Sequence, residues 1–467
     1  MTDPLLKADA AINNLLDQFD DLKERISILE TYRMDPDIPR ELVYNVKDYG
    51  AIGDGVTDDG GPIQVCINAL SDGTSIYFPE GNYKYTVTPS FVTLNSIHVS
   101  GPGILKPSAC NGLSFDDCED LIIDGLRLDA TQAGNTYIGI NLLPDTGNIR
   151  QAVIKNCHLS GFKFGIKLTD STATVGNTRM HDNWIELTGS GLAGSIGIWV
   201  EETDNKIYDN TIQYYETGIA LDAASQLVRG NHIWAPAAAS PDADISIKPG
   251  ATVRGMGFVI ANNYLDGSPS SGHLLVNVQG AGGVTIADNY FRASDSMTEY
   301  IAFVNGDATT DIQDIVIIGN VTVNASGGSI EFLSFTGVQT DDSENYRVYG
   351  NTFGSQVTPY STSSEVRQVG TYAASYAPNP MLGRLLELTL TGNITIGKPT
   401  NVIMGGIGNQ ITYLFIQDGT GGRTVAWHAN YKQGWSDTGN TAGLRSTITF
   451  EWDGTNWNQV CAQSPYI

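Results

Sequence analysis

Asn183-Trp184-Ile185, Asn210-Thr211-Ile212, Asn231-His232-Ile233, Asn263-Tyr264-Leu265, Asn289-Tyr290-Phe291, Asn320-Val321-Thr322 and Asn351-Thr352-Phe353 share one pattern, and Asn156-Cys157-His158 precedes them. Each is an Asn, one variable residue, and then usually an apolar residue. Successive Asn lie 27, 27, 21, 32, 26, 31 and 31 positions apart. Self-similarity at a period of ~20–50 residues marks a solenoid, and the strand-rich composition selects a β form. A solenoid converts sequence period into stacking: residues one repeat apart become neighbours, so outward files are read by aligning repeats.

Working outward, the 467 residues include 52 Gly, with 16% charged and 41% hydrophobic. That is an ordered, turn-rich β composition. A formal charge of −25 argues against nucleic acid, whose binding needs a basic face. Five Cys (66, 110, 118, 157 and 461) are odd in number and lack metal-ligand spacing, so reduced, mostly buried thiols are expected. No cofactor or metal is implied. Met1-Thr2-Asp3-Pro4 starts no recognisable signal peptide, and no apolar run is long enough to span a bilayer. The expectation is assembly in a reducing cytoplasm and release by lysis, without membrane insertion.

Leu5, Ala8, Ile12, Leu15, Phe19, Leu22, Ile26 and Leu29 alternate steps of three and four, a coiled-coil seam. Met34-Asp35-Pro36-Asp37-Ile38-Pro39 then breaks the helix. Ile63, Cys66, Ile67 and Leu70 share one face of a short helix expected at about 59–70. Asp58 or Asp59 can cap it, and Pro62 fits its first turn. A helix there would cover the open apolar end of a solenoid. After the repeats, Leu386-Glu387-Leu388-Thr389-Leu390, Ile411 to Ile416 and Thr447 to Trp452 alternate between Gly-rich turns, predicting an antiparallel β-sandwich. The predicted organisation is a coiled-coil helix at 1–34, a parallel β-helix at 35–370, a connector at 371–384 and the sandwich at 385–467.

The run Tyr44-Asn45-Val46-Lys47-Asp48-Tyr49-Gly50-Ala51-Ile52-Gly53-Asp54-Gly55-Val56-Thr57-Asp58-Asp59, continued by Ser75-Ile76-Tyr77-Phe78-Pro79-Glu80-Gly81-Asn82-Tyr83, resembles the amino-terminal signature of the pectate-lyase-like, right-handed parallel β-helix superfamily. Within it, the run is similar to the form found in phage tailspikes. Gln417 to Trp427 resembles a carboxy-terminal module of phage tail fibres and spikes. The resemblance implies an all-β homotrimer in the virion tail, held to tail, baseplate or adaptor proteins by its N-terminal helix. It implies host adsorption at a bacterial surface polysaccharide. Polygalacturonases share the fold, but the chain has no Asn-Thr-Asp or Gly-His-Gly element and no obvious calcium-plus-arginine lyase site. Fold carries over; chemistry must be argued from this chain's own residues.

The third residue of each Asn-led segment should face inward, with His158 the exception that a hydrogen bond or local shift would explain. Stacked Asn side chains can satisfy backbone groups and tolerate the left-handed turn. Asp182, Asp209 and Asp288 read as turn residues. A second strand recurs as Gly165 to Asp170, Gly197 to Glu202, Gly218 to Asp222 and Asp244 to Lys248. Alternation gives outward files Lys167, Trp199, Ala220, Ser246 and Thr169, Glu201, Asp222, Lys248. Glu201 and Asp222 on adjacent rungs form a carboxylate pair of the kind glycoside hydrolysis uses. Trp199 offers a sugar-stacking face and Lys248 a cation. The Asn-led strand presents Trp184, His232 and Tyr264, with Glu186, Trp234 and Asp266 beside them, as substrate-binding candidates; Glu186 and Asp266 are back-up carboxylates. The functional expectation is endo-glycosidic depolymerisation, with elimination a variant and a non-catalytic receptor-binding spike the alternative.

Overall fold

The computed structural model describes residues 43–466 apart from 131–135, 144–150, 170–175, 189–192, 235–241, 249–256, 268–272, 294–296, 298, 305–314, 325–329, 337–345, 354–356, 359–366, 373, 379–384, 400–409, 436–440 and 454. The helix expected at 1–34 lies outside the described residues. Three parallel sheets of twelve, eleven and eleven strands run the length of a β-helix. One coil supplies Lys206–Tyr208 to the first sheet, Thr211–Gln213 to the second and Thr217–Leu221 to the third. The next coil repeats the order with Leu227–Arg229, His232–Trp234 and Ala243–Ile247.

Strands of three residues admit one inward side chain, and that position is apolar coil after coil. Ile154, Met180, Ile207, Val228 and Ile260 line the first sheet, and Leu159, Ile185, Ile212, Ile233 and Leu265 the second; none is more than 1% exposed. Each such burial contributes ~1.5–3 kcal/mol relative to exposure. On the third sheet Gly165, Gly197 and Gly218 permit close strand approach, since a Cβ at Gly218 would lie 2.6 Å from the Asp244 carbonyl. The run ends at Asp244, whose carboxylate meets His273 Nε2 at 3.0 Å, both wholly buried.

The corner between the first and second sheets is two residues long, as in Gly230 and Asn231 between Leu227–Arg229 and His232–Trp234. Its second residue builds a ladder. Asn183, Asn210, Asn231, Asn263, Asn289 and Asn320 each donate from Nδ2 to the Oδ1 of the next Asn at 2.9–3.0 Å, ending on Asn351. Each also donates to a backbone carbonyl, such as Asn263 to Val228 at 3.1 Å. In return each Oδ1 accepts a backbone N–H from the preceding coil, as Asn263 does from Asn231 at 2.9 Å. A buried amide is thereby satisfied on both sides.

Two details differ from the sequence reading. The left-handed residue is the one before the ladder Asn: Asp182, Asp209, Asn262 and Asp288 have φ of 55°, 56°, 55° and 53°, and Gly230 and Gly319 fill the same slot. Asn156, at φ 53°, belongs to that slot, and donates to Asp124 at 2.8 Å. Cys157 therefore occupies the ladder position, giving its N–H to Asn183 Oδ1 at 3.0 Å. His158 pairs with Trp184 and faces outward, while Leu159 takes the inward place beside Ile185. One residue of register explains the exception.

Helix α1, Gly60–Asn68, buries Ile63, Cys66 and Ile67 at the first coils. Asp58 accepts the Gly60 N–H at 3.0 Å, whereas the fully buried Asp59 accepts from Ile52 and Gly53 at 2.6 and 3.1 Å. The two adjacent Asp divide their work: one holds the helix start and the other ties down the Gly-rich turn. All five cysteines are free, four of them buried.

The C-terminal region is not the purely antiparallel sandwich expected. Arg367–Tyr372, Leu385–Leu390 and Gln410–Gln417 pair parallel, and Ser375–Tyr376, Ile394–Ile396 and Val425–Trp427 form a second parallel sheet. Antiparallel pairing enters only with Arg445–Trp452 and Trp457–Tyr466. The chain alternates between the two sheets, so successive strands in either one run the same way. Leu386, Leu388, Ile396, Tyr413, Phe450 and Trp457 pack in a core separate from that of the coils.

Candidate active site on the third sheet

Ile196–Val200 and Thr217–Leu221 pair with Trp199 opposite Ala220 and Val200 opposite Leu221. The N–H of Glu201 reaches Leu168 O at 3.1 Å, that of Asp222 reaches Val200 O at 2.8 Å, and that of Lys248 reaches Leu221 O at 2.8 Å. Thr169, Glu201, Asp222 and Lys248 thus occupy successive rungs, ~4.8 Å apart. Their side chains are linked through the neighbouring file. Lys167 Nζ lies 3.5 Å from Glu201 Oε2 and 3.8 Å from the centre of the Trp199 ring. Trp199 Nε1 donates to Asp222 Oδ2 at 2.7 Å.

Burial pushes the Asp222 carboxyl above the ordinary range; the Trp199 N–H opposes this, the Glu201 charge adds to it, and Lys248 and Lys167 oppose it. A partly buried acid beside a second carboxylate meets one physical condition for carrying a proton. Its neighbour Glu201 has its charge compensated by Lys167. Lys248 is exposed. Trp199 is half-buried, with Lys167 over its ring and Phe164 at 5.4 Å, so its open surface is smaller than the sequence suggests.

Much of the neighbouring file is buried. Ser114, Asn141, Ala220, Ser246 and Asn277 belong to the outward file yet are buried. The Oδ1 atoms of Asn141 and Asn277 are buried without a protein hydrogen-bond partner. Such acceptors call for water or a ligand hydroxyl. Sequence reasoning missed Lys167, Asn141 and Asn277 as site residues. The signal for Asn141 and Asn277 was a polar amide in an outward file of a strand, a weak one without burial.

The remaining candidates stand on the second sheet. Trp184, Thr211, His232, Tyr264 and Tyr290 form one file, and Glu186, Gln213, Trp234, Asp266 and Arg292 the other. Glu186 and Asp266 are separated by Gln213 and Trp234, so they do not form a pair. Glu186 accepts from Trp184 Nε1 at 3.1 Å and meets His158 Nε2 at 3.3 Å. Burial pushes its carboxyl up, but those hydrogen bonds outweigh it and leave the net direction downward. Asp266 is bound by Arg292 at 2.7 and 2.8 Å. The downward direction at Glu186 unsuits it as a proton donor.

Comparison with known proteins supplies two family matches. Residues 43–238 match the family described as rhamnogalacturonase A/epimerase, pectate lyase-like, and residues 376–457 match a phage tail fibre C-terminal domain. Among curated relatives, mannuronan C5-epimerase AlgE2 of Azotobacter vinelandii is 25% identical over 171 residues, 31% of this chain and 17% of that protein. AlgE4 of the same organism is 23% identical over 199 residues, 37% of this chain and 34% of that protein. The chain therefore spans about a third or less of their length. A solved tailspike of E. coli bacteriophage HK620, in complex with a pentasaccharide, is 9% identical, with 88% of this chain and 84% of that chain covered and a TM-score of 0.46.

Proposed function

We propose, from a pectate-lyase-like segment joined to a phage tail fibre domain in one chain, that this protein is a tailspike that binds and cleaves a bacterial surface polysaccharide. The observation that carries the catalytic part is the Asp222 carboxyl, raised by burial, one rung from Glu201. Asp222 in its protonated form gives its proton to the glycosidic oxygen as the C–O bond breaks. Glu201, its charge compensated by Lys167, attacks the anomeric carbon or takes a proton from the attacking water. Trp199 fixes the Asp222 side chain through its N–H. Lys248 holds an anionic substituent of the glycan if one is present. The relatives' names, which specify mannuronan, support a polysaccharide as substrate class.

In this reading the chain is a homotrimer of the virion tail. Residues 1–34 attach it to tail, baseplate or adaptor proteins, and residues 385–467 assist assembly or recognition. It is made in the host cytoplasm and acts outside, at the host surface. One observation favours the rival, a non-catalytic adhesin on the same fold: the carboxylates are already engaged by Lys167 and Trp199 within the protein. Sizing of host polysaccharide after incubation separates the two. Shortened chains support cleavage; full-length glycan that nevertheless binds the protein supports the adhesin.

A further inference from the structure

We propose that the open face of the second sheet is a glycan-binding track of its own, separate from the third-sheet carboxylates, with Trp184, His232, Trp234, Tyr264 and Tyr290 holding an extended saccharide along the rod. This rests on the reading that the protein meets bacterial polysaccharide, but not on its cleaving any. Trp184, Trp234, Tyr264 and Tyr290 are 45%, 40%, 37% and 36% exposed, a large aromatic surface to leave in water without a ligand.

The rings are held in place by one another. Tyr264 and Tyr290 lie nearly parallel with centroids 5.0 Å apart, a stack that still leaves them 37% and 36% exposed. His232 meets Tyr264 edge-on at 4.8 Å, and Tyr214 props Trp234 at 5.2 Å. Rings fixed before binding lose little rotamer freedom on contact, which favours affinity. Beside them run Glu186, Gln213, Asp266 and Arg292, giving donors and acceptors at each rung. Saccharides present C–H faces edged by hydroxyls, and this alternation of ring and polar group matches them.

The same file argues against a protein partner on this face. The Arg292 side chain is 44% exposed in its pair with Asp266, and the His158–Glu186 pair is 36% and 26% exposed. A flat protein interface would desolvate both pairs, at a cost their attraction does not reliably return. A single glycan strand leaves them wet and can share their hydrogen bonds. Net charge on the face is small, so a hydroxyl-rich saccharide fits better than a polyanion.

The test uses the full chain carrying E201Q and D222N, so that cleavage does not remove the ligand, on an array of immobilised bacterial surface polysaccharides. Trp184→Ala with Tyr264→Ala is expected to lower apparent affinity at least tenfold, with unchanged thermal unfolding, while Tyr264→Phe binds as its parent does. Equal retention of parent and double variant refutes the track alone. Retention of neither by any glycan refutes both the track and the adsorption reading. A change in sedimentation with glycan binding unaltered assigns the face to subunit contact and also overturns it.

Discussion

The second and third sheets carry nearly the same groups and hold them in opposite states. Each has an indole N–H on a carboxylate: Trp199 to Asp222 at 2.7 Å and Trp184 to Glu186 at 3.1 Å. Each has a cation on a carboxylate: Lys167 on Glu201 and Arg292 on Asp266. Yet the Asp222 carboxyl is raised and that of Glu186 is lowered. Burial raises both, but at Glu186 the hydrogen bonds from Trp184 and His158 outweigh it, while at Asp222 the Glu201 charge adds to it. The third sheet's outward file is buried at Ala220 and Ser246, whereas the second exposes its rings. In a solenoid every coil offers the same directions, so the state of a carboxyl is set by its burial together with the partners on its own and adjacent rungs.

The sharpest way to break this contrast is to exchange carboxyls for amides on both faces. Asp222→Asn is expected to slow glycan cleavage by about 10²–10⁴-fold, the range of general acid–base catalysis, and Glu186→Gln to slow it far less; an initial-rate viscosity assay decides. Next is a change to the corner between the first and second sheets. Asn263→Ala leaves the N–H of Asn231 and the Asn231 Nδ2 without their acceptor, and is expected to cost about 3 kcal/mol. Denaturant unfolding measures it, and loss of less than ~1 kcal/mol would mean the ladder is dispensable.

Proton linkage sharpens the contrast further. Because the folded Asp222 pKa lies above its ordinary value, the folded state holds this proton more tightly than the unfolded chain. Its contribution is present at low pH and is lost as pH rises from the ordinary Asp range through the raised folded value. Cleavage should fall over the same window, and Asp222→Asn should flatten that part of the stability profile. Urea melts across mildly acidic pH test the sign. The smallest effect is expected on the open sheet: Arg292→Met should cost about 1 kcal/mol or less, fading as salt is added. A salt-independent loss would contradict the open, solvated character of that face.

Much of this is legible in the sequence. Ile185, Ile212, Ile233, Leu265 and Phe291 were read as inward, and all are buried, because a period of two fixes which side chain enters the core. Asp182, Asp209 and Asp288 were read as turn residues, which their positive φ bears out. Register at the first repeat was not legible: Asn156 and Asn183 look alike in sequence, and only the pairing of His158 with Trp184 shows that Cys157 holds the ladder place. Alternating strands after residue 385 could not distinguish neighbours that run parallel from neighbours that run antiparallel, since both give the same pattern. The sequence places Lys167 in the outward file but does not show its reach to Glu201 and Trp199, which is a matter of side-chain length across a rung. Adjacency was readable; depth was not.

The two-residue corner at the Asn ladder fixes where length can vary. Between Thr217–Leu221 and Leu227–Arg229 the chain crosses from the third to the first sheet in five residues, and between Ala243–Ile247 and Phe258–Ala261 it takes ten. Insertions there leave the phase of the winding intact, because the amide bonds on the far side reset it once per turn. A single residue added beside Asn231 would instead break its own bonds to Asn210 and Asn263. The crossing from the second to the third sheet varies as well, from three residues after Thr211–Gln213 to nine after Trp184–Glu186. The rod is in effect a spindle with one locked edge and two editable ones, and both editable edges border the third sheet.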